Sequence, residues 1–389
     1  MPESIYINGA GRIGRLITKI VLSDTDNNIN TVFVNDPYGM SVNDFLYYLT
    51  YDTNYGRLAD LRQESIYVTP TPSDNIHEYT INISSTNKYI YYTNYDPRHD
   101  SESILNFWTN TAWVDNNRPL IDCCGTLKYS DTYLKNQFKT ILHVGLDRIP
   151  DISDNGFSSI IYDNTSSSDI SSWYYTYGIR DYDIPSLKTQ NIAFIYRALK
   201  SLSIEAIDVK HLLQYNNLQH PKDDYYVRCS NFPEMGRGID NIIDTTFPYA
   251  SAKLAGNRAA AIIGEGSSLT GLMNVSNVYL PLSYGGMTIF SAITKSTGLT
   301  VDSINSMLKN NSTHTVQYNE EGLVSRDMFL TDYHYKNISP VCTYGAYMTS
   351  VINQSDVNII NVTSLYDPEY GLALQAYNTS IQVYNVVTA

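Results

Sequence analysis

Charge is what this chain has least of. Only 17% of its 389 residues are Asp, Glu, Lys or Arg, they sum to a net −13, and nowhere do Lys and Arg cluster into a block. Phosphate-backbone binding and attraction to anionic membrane surfaces both rely on such blocks, so neither nucleic acid nor membrane is an expected partner. Cysteine is scarce too. Cys123, Cys124, Cys229 and Cys342 show no C-x-x-C spacing, which points to free, mostly buried thiols and away from a disulfide framework. No stretch approaches the roughly 18 consecutive apolar residues of a membrane span. An apolar run begins at Ser4, leaving no room for a signal peptide, so an intracellular, cytoplasmic protein is expected. The seven histidines (77, 99, 143, 211, 220, 314 and 334) show no i, i+3 or i, i+4 pairing, and no metal centre is expected.

What replaces charge is Asn, Ser, Thr and 35 Tyr. Tyrosine gives large contact area at low entropic cost and is enriched at interfaces. Richness in Asn, Tyr and Ile is also what an AT-rich genome encodes, a compositional hint toward a virus. The length accommodates two domains with proper cores.

The opening is the most informative stretch. Ser4 to Asn8 is a short apolar run that stops at Gly9, and helical spacing resumes through Leu16, Ile17, Ile20 and Val21. Between them lies Gly9-Ala10-Gly11-Arg12-Ile13-Gly14, a G-x-G-x-x-G on a strand–turn–helix junction. Its glycines allow a sharp turn, close approach of a diphosphate to bare backbone, and close packing of helix on strand. The helix start adds N–H groups and a positive dipole end for an anion. A second run, Thr31 to Val34, ends at Asn35-Asp36-Pro37, setting the Asp36 carboxylate where ribose hydroxyls of a dinucleotide would lie.

Farther on, Ser41–Thr50 has helical spacing, and Tyr79–Ile83 and Lys88–Tyr92 read as short strands. Leu120–Gly125 and Thr140–Val144 are of buried-strand length, with a helix expected between them. Such alternation suits a parallel sheet. Asp163–Ser172 is a Ser/Asp/Asn-rich linker or insertion. Gln190–Leu202 and Val301–Leu308 read as helices. Ile204–Leu213, Leu269–Tyr279 and Gly286–Ile293 are longer strands suited to a largely antiparallel sheet, and Glu369–Val387 reads as a final helix.

Many short motifs along the chain resemble phosphorylating glyceraldehyde-3-phosphate dehydrogenase. They are Ile7–Arg15 (I-N-G-x-G-R-I-G-R), Val34–Pro37, Tyr51–Arg57, Gly236-Arg237-Gly238 with Asn241-Ile242-Ile243, Leu269–Leu272, Tyr318–Glu321 with Val324-Ser325, and Tyr366–Gly371. The resemblance implies an α/β fold: a Rossmann-type dinucleotide-binding domain over residues 1–184, onto which a C-terminal helix (366–389) packs back. An α+β catalytic-type domain with a large mixed or antiparallel sheet then covers 185–365. It also implies a tetramer and a mechanism in which a thiolate attacks the aldehyde, a histidine takes the proton, and hydride passes to NAD.

At the positions those steps need, the side chains differ. Lys188 stands where the nucleophilic thiol should be. An amine protonated at neutral pH forms no thioester, although a desolvated Lys forms Schiff bases. His211 sits in Val209-Lys210-His211, where the proton acceptor is expected. After Asn241-Ile242-Ile243 the chain reads Asp244-Thr245-Thr246-Phe247-Pro248, with a bulky pair where the Thr-Gly pair that holds substrate phosphate would be. Tyr279 replaces the phosphate-gripping Arg, and a phenol cannot supply a charged bidentate fork. Pro368 replaces the Asn that orients nicotinamide, Leu372 replaces the following Tyr, and Val144-Gly145 replaces a Ser-Ala pair. Arg237 remains as an anion-binding candidate. The adenosine half (Gly9, Gly11, Arg12, Ile13, Gly14, Asp36, with Gly125) is intact by residue type, so NAD is the cofactor the chain is equipped to hold, its presence being left open.

Three functions follow as expectations. The first is a pseudoenzyme reused as a structural or assembly protein, homo-oligomeric, part of a larger assembly, and virion-associated in its viral version. Its contact loops would be Asp163–Tyr182 and Pro70–Ile76. The second is a regulator that binds NAD or ADP-ribose. The third is an oxidoreductase still active with NAD, or one using Lys188.

Overall fold

The computed structural model of the chain describes residues 3–24, 29–52, 56–57, 66–70, 78–83, 87–95, 117–124, 138, 140–144, 160–161, 181–184, 186–202, 204–214, 273–280, 286–310, 316–317, 346–353, 357–366 and 369–388. In chain order the first part contains β1 (Glu3–Asn8), α1 (Arg12–Ser23), β2 (Ile29–Asn35), α2 (Val42–Thr50), β3 (Tyr51–Asp52), β4 (Gly56–Arg57), β5 (Ile66–Pro70), β6 (Glu78–Ile83), β7 (Lys88–Thr93), β8 (Leu120–Asp122), β9 (Ile141–Val144), β10 (Ile160–Ile161) and β11 (Asp181–Ile184). The second part contains α3 (Leu187–Leu199), β12 (Ile204–Gln214), β13 (Met273–Leu280), β14 (Gly286–Thr294), α4 (Val301–Asn310), β15 (Val316–Gln317), β16 (Ala346–Asn353), β17 (Asn358–Tyr366) and α5 (Tyr370–Thr388).

Nine strands form the first sheet in the order β10-β11-β9-β8-β1-β2-β7-β6-β5. From β7 to β10 every neighbouring pair is parallel, while β6 and β5 extend the β7 edge as antiparallel strands. The chain moves outward from β1 through β2 and β7, then crosses to β8, β9 and β11. The strand order therefore reverses at β1, and ligands of doubly wound sheets bind at the carboxyl ends of the strands at such a point.

Alternation along the central strands divides their side chains between two cores. Ile5 and Ile7 join Val32, Val34, Ile90 and Ile121 under the helices. On the other face Tyr6, Phe33 and Tyr91, in register on three neighbouring strands, stack with centroids 4.9 and 5.0 Å apart, and Phe138 meets Tyr6 edge-on. Leu372, Ala373, Ala376, Tyr377 and Val383 of α5 belong to the helix-side core.

The helix ends show why the elements stop where they do. Ser41 caps α2 by accepting from the Asp44 N–H at 3.1 Å, and Thr300 and Ser303 exchange reciprocal bonds at the start of α4. α1 has no basic residue in its last turn. The cation that a helix C-terminus favours comes instead from Lys88 of β7, whose ammonium donates at 2.5 Å to the carbonyls of Val21 and Asp24.

The second sheet runs β13-β12-β14-β17-β16-β15, antiparallel from β12 through β16 and parallel at its two outer pairs. It is mixed, as expected. Ile192, Ile195 and Leu199 of α3 and Ile304 and Leu308 of α4 pack with Phe290, Ala292, Ile360 and Val362 on one of its faces. α3 begins at Leu187, three residues before the expected start, because Leu187 is buried in the first core. The linker Asp163–Ser172, the helix expected between β8 and β9, and the loops 71–76 and 163–180 lie outside the described residues. Among the described residues no helix is long and apolar enough to cross a membrane.

Candidate functional site

The Gly9–Gly14 turn lies at the carboxyl ends of β1, β2 and β8, the place where a doubly wound sheet has its ligand crevice. Gly9 has φ +113°, donates its N–H to the Asn35 carbonyl at 2.7 Å, and lies against the β8 end: a Cβ on it would come 3.1 Å from the Cys124 Cβ. A Cβ on Gly14 would fall 1.8 Å from the Gly9 carbonyl oxygen. Helix and turn are thus packed backbone to backbone, a contact only glycine permits. Gly11 differs. It is the N-cap of α1 with φ −64°, offers no side-chain cap, and a Cβ on it would meet nothing within 4 Å. The turn is closed where protein meets protein and open where the helix start faces the crevice.

Beneath the turn runs a row of buried polar side chains, one from each of five parallel strands. Thr93 of β7, Asn35 of β2, Asn8 of β1, Asp122 of β8 and His143 of β9 share one register. The Thr93 hydroxyl donates to Asn35 Oδ1 (2.9 Å), Asn35 Nδ2 to Asn8 Oδ1 (2.9 Å), and Asn8 Nδ2 to Asp122 Oδ1 (3.0 Å). The other Asp122 oxygen lies 3.5 Å from His143 Nδ1. The donors therefore all point toward one carboxylate. Asn35 reaches further, giving Nδ2 to the Tyr95 carbonyl and taking the Tyr95 N–H, so the row also pins the loop after β7.

Asp36 follows β2 as expected but is buried, and one of its carboxylate oxygens accepts the Met40 N–H at 2.5 Å. The Met40 carbonyl in turn accepts the Tyr92 hydroxyl at 2.7 Å. Burial, then the nearby Asp36 charge, pushes the Tyr92 phenol far up, so it stays a donor. Asp36 thus shapes its own loop at the rim of the crevice.

The Arg12 side chain is directed away from the turn. Its Nε donates to Glu369 at 2.6 Å and its Nη1 lies 3.3 Å from Asp52, with all three side chains no more than 5% exposed. Arg15 and Lys19 lie at the next positions along α1, both buried. Arg15 donates to the Ala10 carbonyl at 2.6 Å and covers the Tyr48 ring. Burial lowers the Lys19 pKa from 10.5 to about 8; Asp52 opposes this, and Arg12 and Arg15 add to it. Ile13 is half-buried against the first core.

Cys123 and Cys124 form the β8 wall, both free and half-buried. Cys124 Sγ donates to Asp122 at 3.1 Å and accepts from Asn8 at 3.0 Å. Burial, then Asp122, pushes the Cys123 thiol well above its usual range, so it is a poor nucleophile. The described residues contain no His, Cys, Asp or Glu group suited to a metal ion.

The structure thus brings Gly9, Gly11, Arg12, Ile13, Gly14 and Asp36 together. Lys188 lies in the first turn of α3, where the resemblance sets the thiol, and His211 lies within β12, paired with Asn277 and Thr288. Tyr279 of β13 pairs with Leu213. Gly125, Arg237, Phe247 and Pro368 lie outside the described residues. Sequence reading did not single out Asp52, Glu369 or the polar row as parts of the site. Asp52 and Glu369 were legible only as members of motifs, and the row only once strand order was known.

No curated protein matches the chain. Residues 3–96, which span β1 through β7, match the family model described as glyceraldehyde 3-phosphate dehydrogenase, NAD binding domain.

Proposed function

Starting from a first domain that belongs to the glyceraldehyde-3-phosphate dehydrogenase NAD-binding family, we propose that this chain is a pseudoenzyme that binds NAD or ADP-ribose. It would hold the dinucleotide at the α1 start and perform no phosphorylating oxidation. The observation that carries this reading is the difference among the three glycines: positions 9 and 14 are filled by protein, whereas the space at Gly11 is open beside an uncapped helix start. A diphosphate held there would have the helix N–H groups as donors. Against oxidation stand Lys188 for the thiol and Tyr279 for the phosphate-binding Arg.

Calorimetry with NAD and with ADP-ribose tests binding. Both ligands should release heat with the wild type, and Gly11→Ala should weaken both at least tenfold while leaving the melting temperature within a few degrees. No heat at millimolar ligand refutes the proposal. NAD reduction on addition of glyceraldehyde 3-phosphate and phosphate refutes the pseudoenzyme part and supports a living oxidoreductase, with His211 as proton acceptor. A carbonyl compound trapped on Lys188 by borohydride refutes it in favour of Schiff-base chemistry.

A role in assembly has its own support. On the second-sheet face opposite α3 and α4, Ile293, Ile359 and Ile352 lie side by side on β14, β17 and β16, with Ile293 and Ile352 exposed. Next to them Ser291 donates to Asn361 at 2.7 Å. An exposed apolar row rimmed by neutral polar groups suits a self-complementary homo-oligomer contact. In this reading the chain is an intracellular structural component of a larger assembly, a virion-associated protein being the concrete version. A monodisperse monomer by analytical ultracentrifugation across a wide concentration range refutes it.

A further inference from the structure

Arg12 is the first residue of α1, so its backbone lies at the candidate diphosphate position while its side chain reaches Glu369. Glu369 opens α5: the Ala373 N–H bonds to the Glu369 carbonyl at 2.9 Å. Two helix N-termini, both positive dipole ends, are therefore joined by one buried ion pair, and α5 lies along α1 with Leu372, Ala373, Ala376 and Tyr377 in the shared core. α1 has no acid in its first turn. An Arg at that position is unfavourable beside the helix dipole. The carboxylates that compensate come from elsewhere, Asp52 from β3 and Glu369 from the start of α5.

We propose that Glu369 is a positioning residue for the dinucleotide crevice. Through Arg12 it links the docking of α5 to occupancy of the α1 start, so that ligand binding holds α5 in place and α5 docking strengthens ligand binding. This rests on the dinucleotide-binding reading given above. The linkage is reciprocal, because two events that share one structural element stabilise each other equally. Arg12 is that element: its backbone belongs to the anion site and its guanidinium to α5. A second buried amide pair ties α5 to α3, with Gln375 and Gln190 exchanging bonds at 2.7 and 2.8 Å. Occupancy of the crevice is thereby felt at the helix that begins the second sheet's layer.

Electrostatics alone predicts the opposite sign, which makes the test sharp. Glu369→Gln removes a negative charge near the site, and by charge alone it should tighten the binding of a diphosphate. If Glu369 acts by positioning Arg12, the same change should weaken ADP-ribose binding about tenfold, the size of a typical coupling. Two measurements decide: calorimetry with ADP-ribose on wild type and Glu369→Gln, and hydrogen exchange of the wild type with and without ADP-ribose. The expected results are weaker binding by the variant and slower exchange over residues 370–378 when ligand is bound. Equal or tighter binding by a folded variant overturns the proposal. If the variant does not fold, the exchange measurement decides, and unchanged α5 exchange at saturating ligand overturns it. Failure of the wild type to bind ADP-ribose overturns the binding reading and this linkage with it. Binding with no effect on α5 overturns the linkage alone.

Discussion

Lys19→Met should stabilise the protein at neutral pH, and the gain should vanish as the solution becomes alkaline. Lys19 is 7% exposed, and burial draws its pKa from 10.5 to about 8 despite the favourable Asp52 charge. Below about pH 8 the amine is charged in both folded and unfolded chains, and the folded state carries the full cost of the buried charge. Between about pH 8 and 10.5 the unfolded chain binds more protons than the folded one, so stability rises with pH. Above 10.5 both forms are neutral and the cost is gone. At about 1.4 kcal/mol per pH unit, a drop from 10.5 to about 8 corresponds to a cost on the order of 3 kcal/mol. Water access and relaxation reduce it, and a gain of about 1–2 kcal/mol is expected at pH 7. Methionine keeps the length and apolar stem. Asp52 keeps Arg12 at 3.3 Å, so the substitution does not strand a carboxylate. Urea unfolding of both proteins at pH 7, 8.5 and 10 measures the difference, and the comparison cancels the titration of the other lysines and the tyrosines. A variant less stable than wild type at pH 7, or a difference that does not change with pH, refutes the reasoning. The Lys19 charge would then be compensated inside the fold.

Gly14→Ala should cost more than about 4 kcal/mol, since its methyl would sit 1.8 Å from a backbone oxygen, and insoluble expression or a lost melting transition would report it. Lys88→Met should cost about 1–2 kcal/mol and speed hydrogen exchange in the last turn of α1, because the Val21 and Asp24 carbonyls lose a charged donor. Unchanged exchange there would show that water replaces the ammonium. Ile352→Lys should shift sedimentation toward monomer without lowering the melting temperature, the exposed side chain having little packing to lose; an unchanged sedimentation coefficient would place any self-association elsewhere.

Much of the fold was legible because it follows local rules. Short apolar runs marked the β1 and β2 strands, Lys88–Tyr92 read as the β7 strand, the glycine turn marked the start of α1, and the helices expected at α2, α4 and α5 lie within a residue or two of those observed. What was not legible joins residues far apart. The sequence reading assigned Arg12 to the cofactor, and the structure commits its side chain to Glu369, 357 positions away. Charges at 12, 15 and 19 lie along α1 at helical spacing, a stripe that would ordinarily be read as solvated. Here α2, β3 and α5 close over it. The β6 strand shows the same limit from the other side: its pattern gives a strand, and only pairing makes it, with β5, an antiparallel extension of a parallel sheet.

The polar row beneath the crevice has a consequence for how the sheet finds its alignment. Parallel strands are joined by long crossovers, so no tight turn sets how far one slides past the next. Val, Ile and Tyr repeat along β1, β2 and β7, and apolar packing alone distinguishes poorly between offsets two residues apart. The row distinguishes them. A slip of β1 would leave both ends of the Asn8 amide buried without partners, at about 1–3 kcal/mol for each, and would take one hydrogen bond each from Asn35 and Asp122. The five residues act as a vernier that only one alignment satisfies, and the loops they fix are those around the crevice. Folding alone therefore selects for the crevice shape, whether or not a ligand fills it.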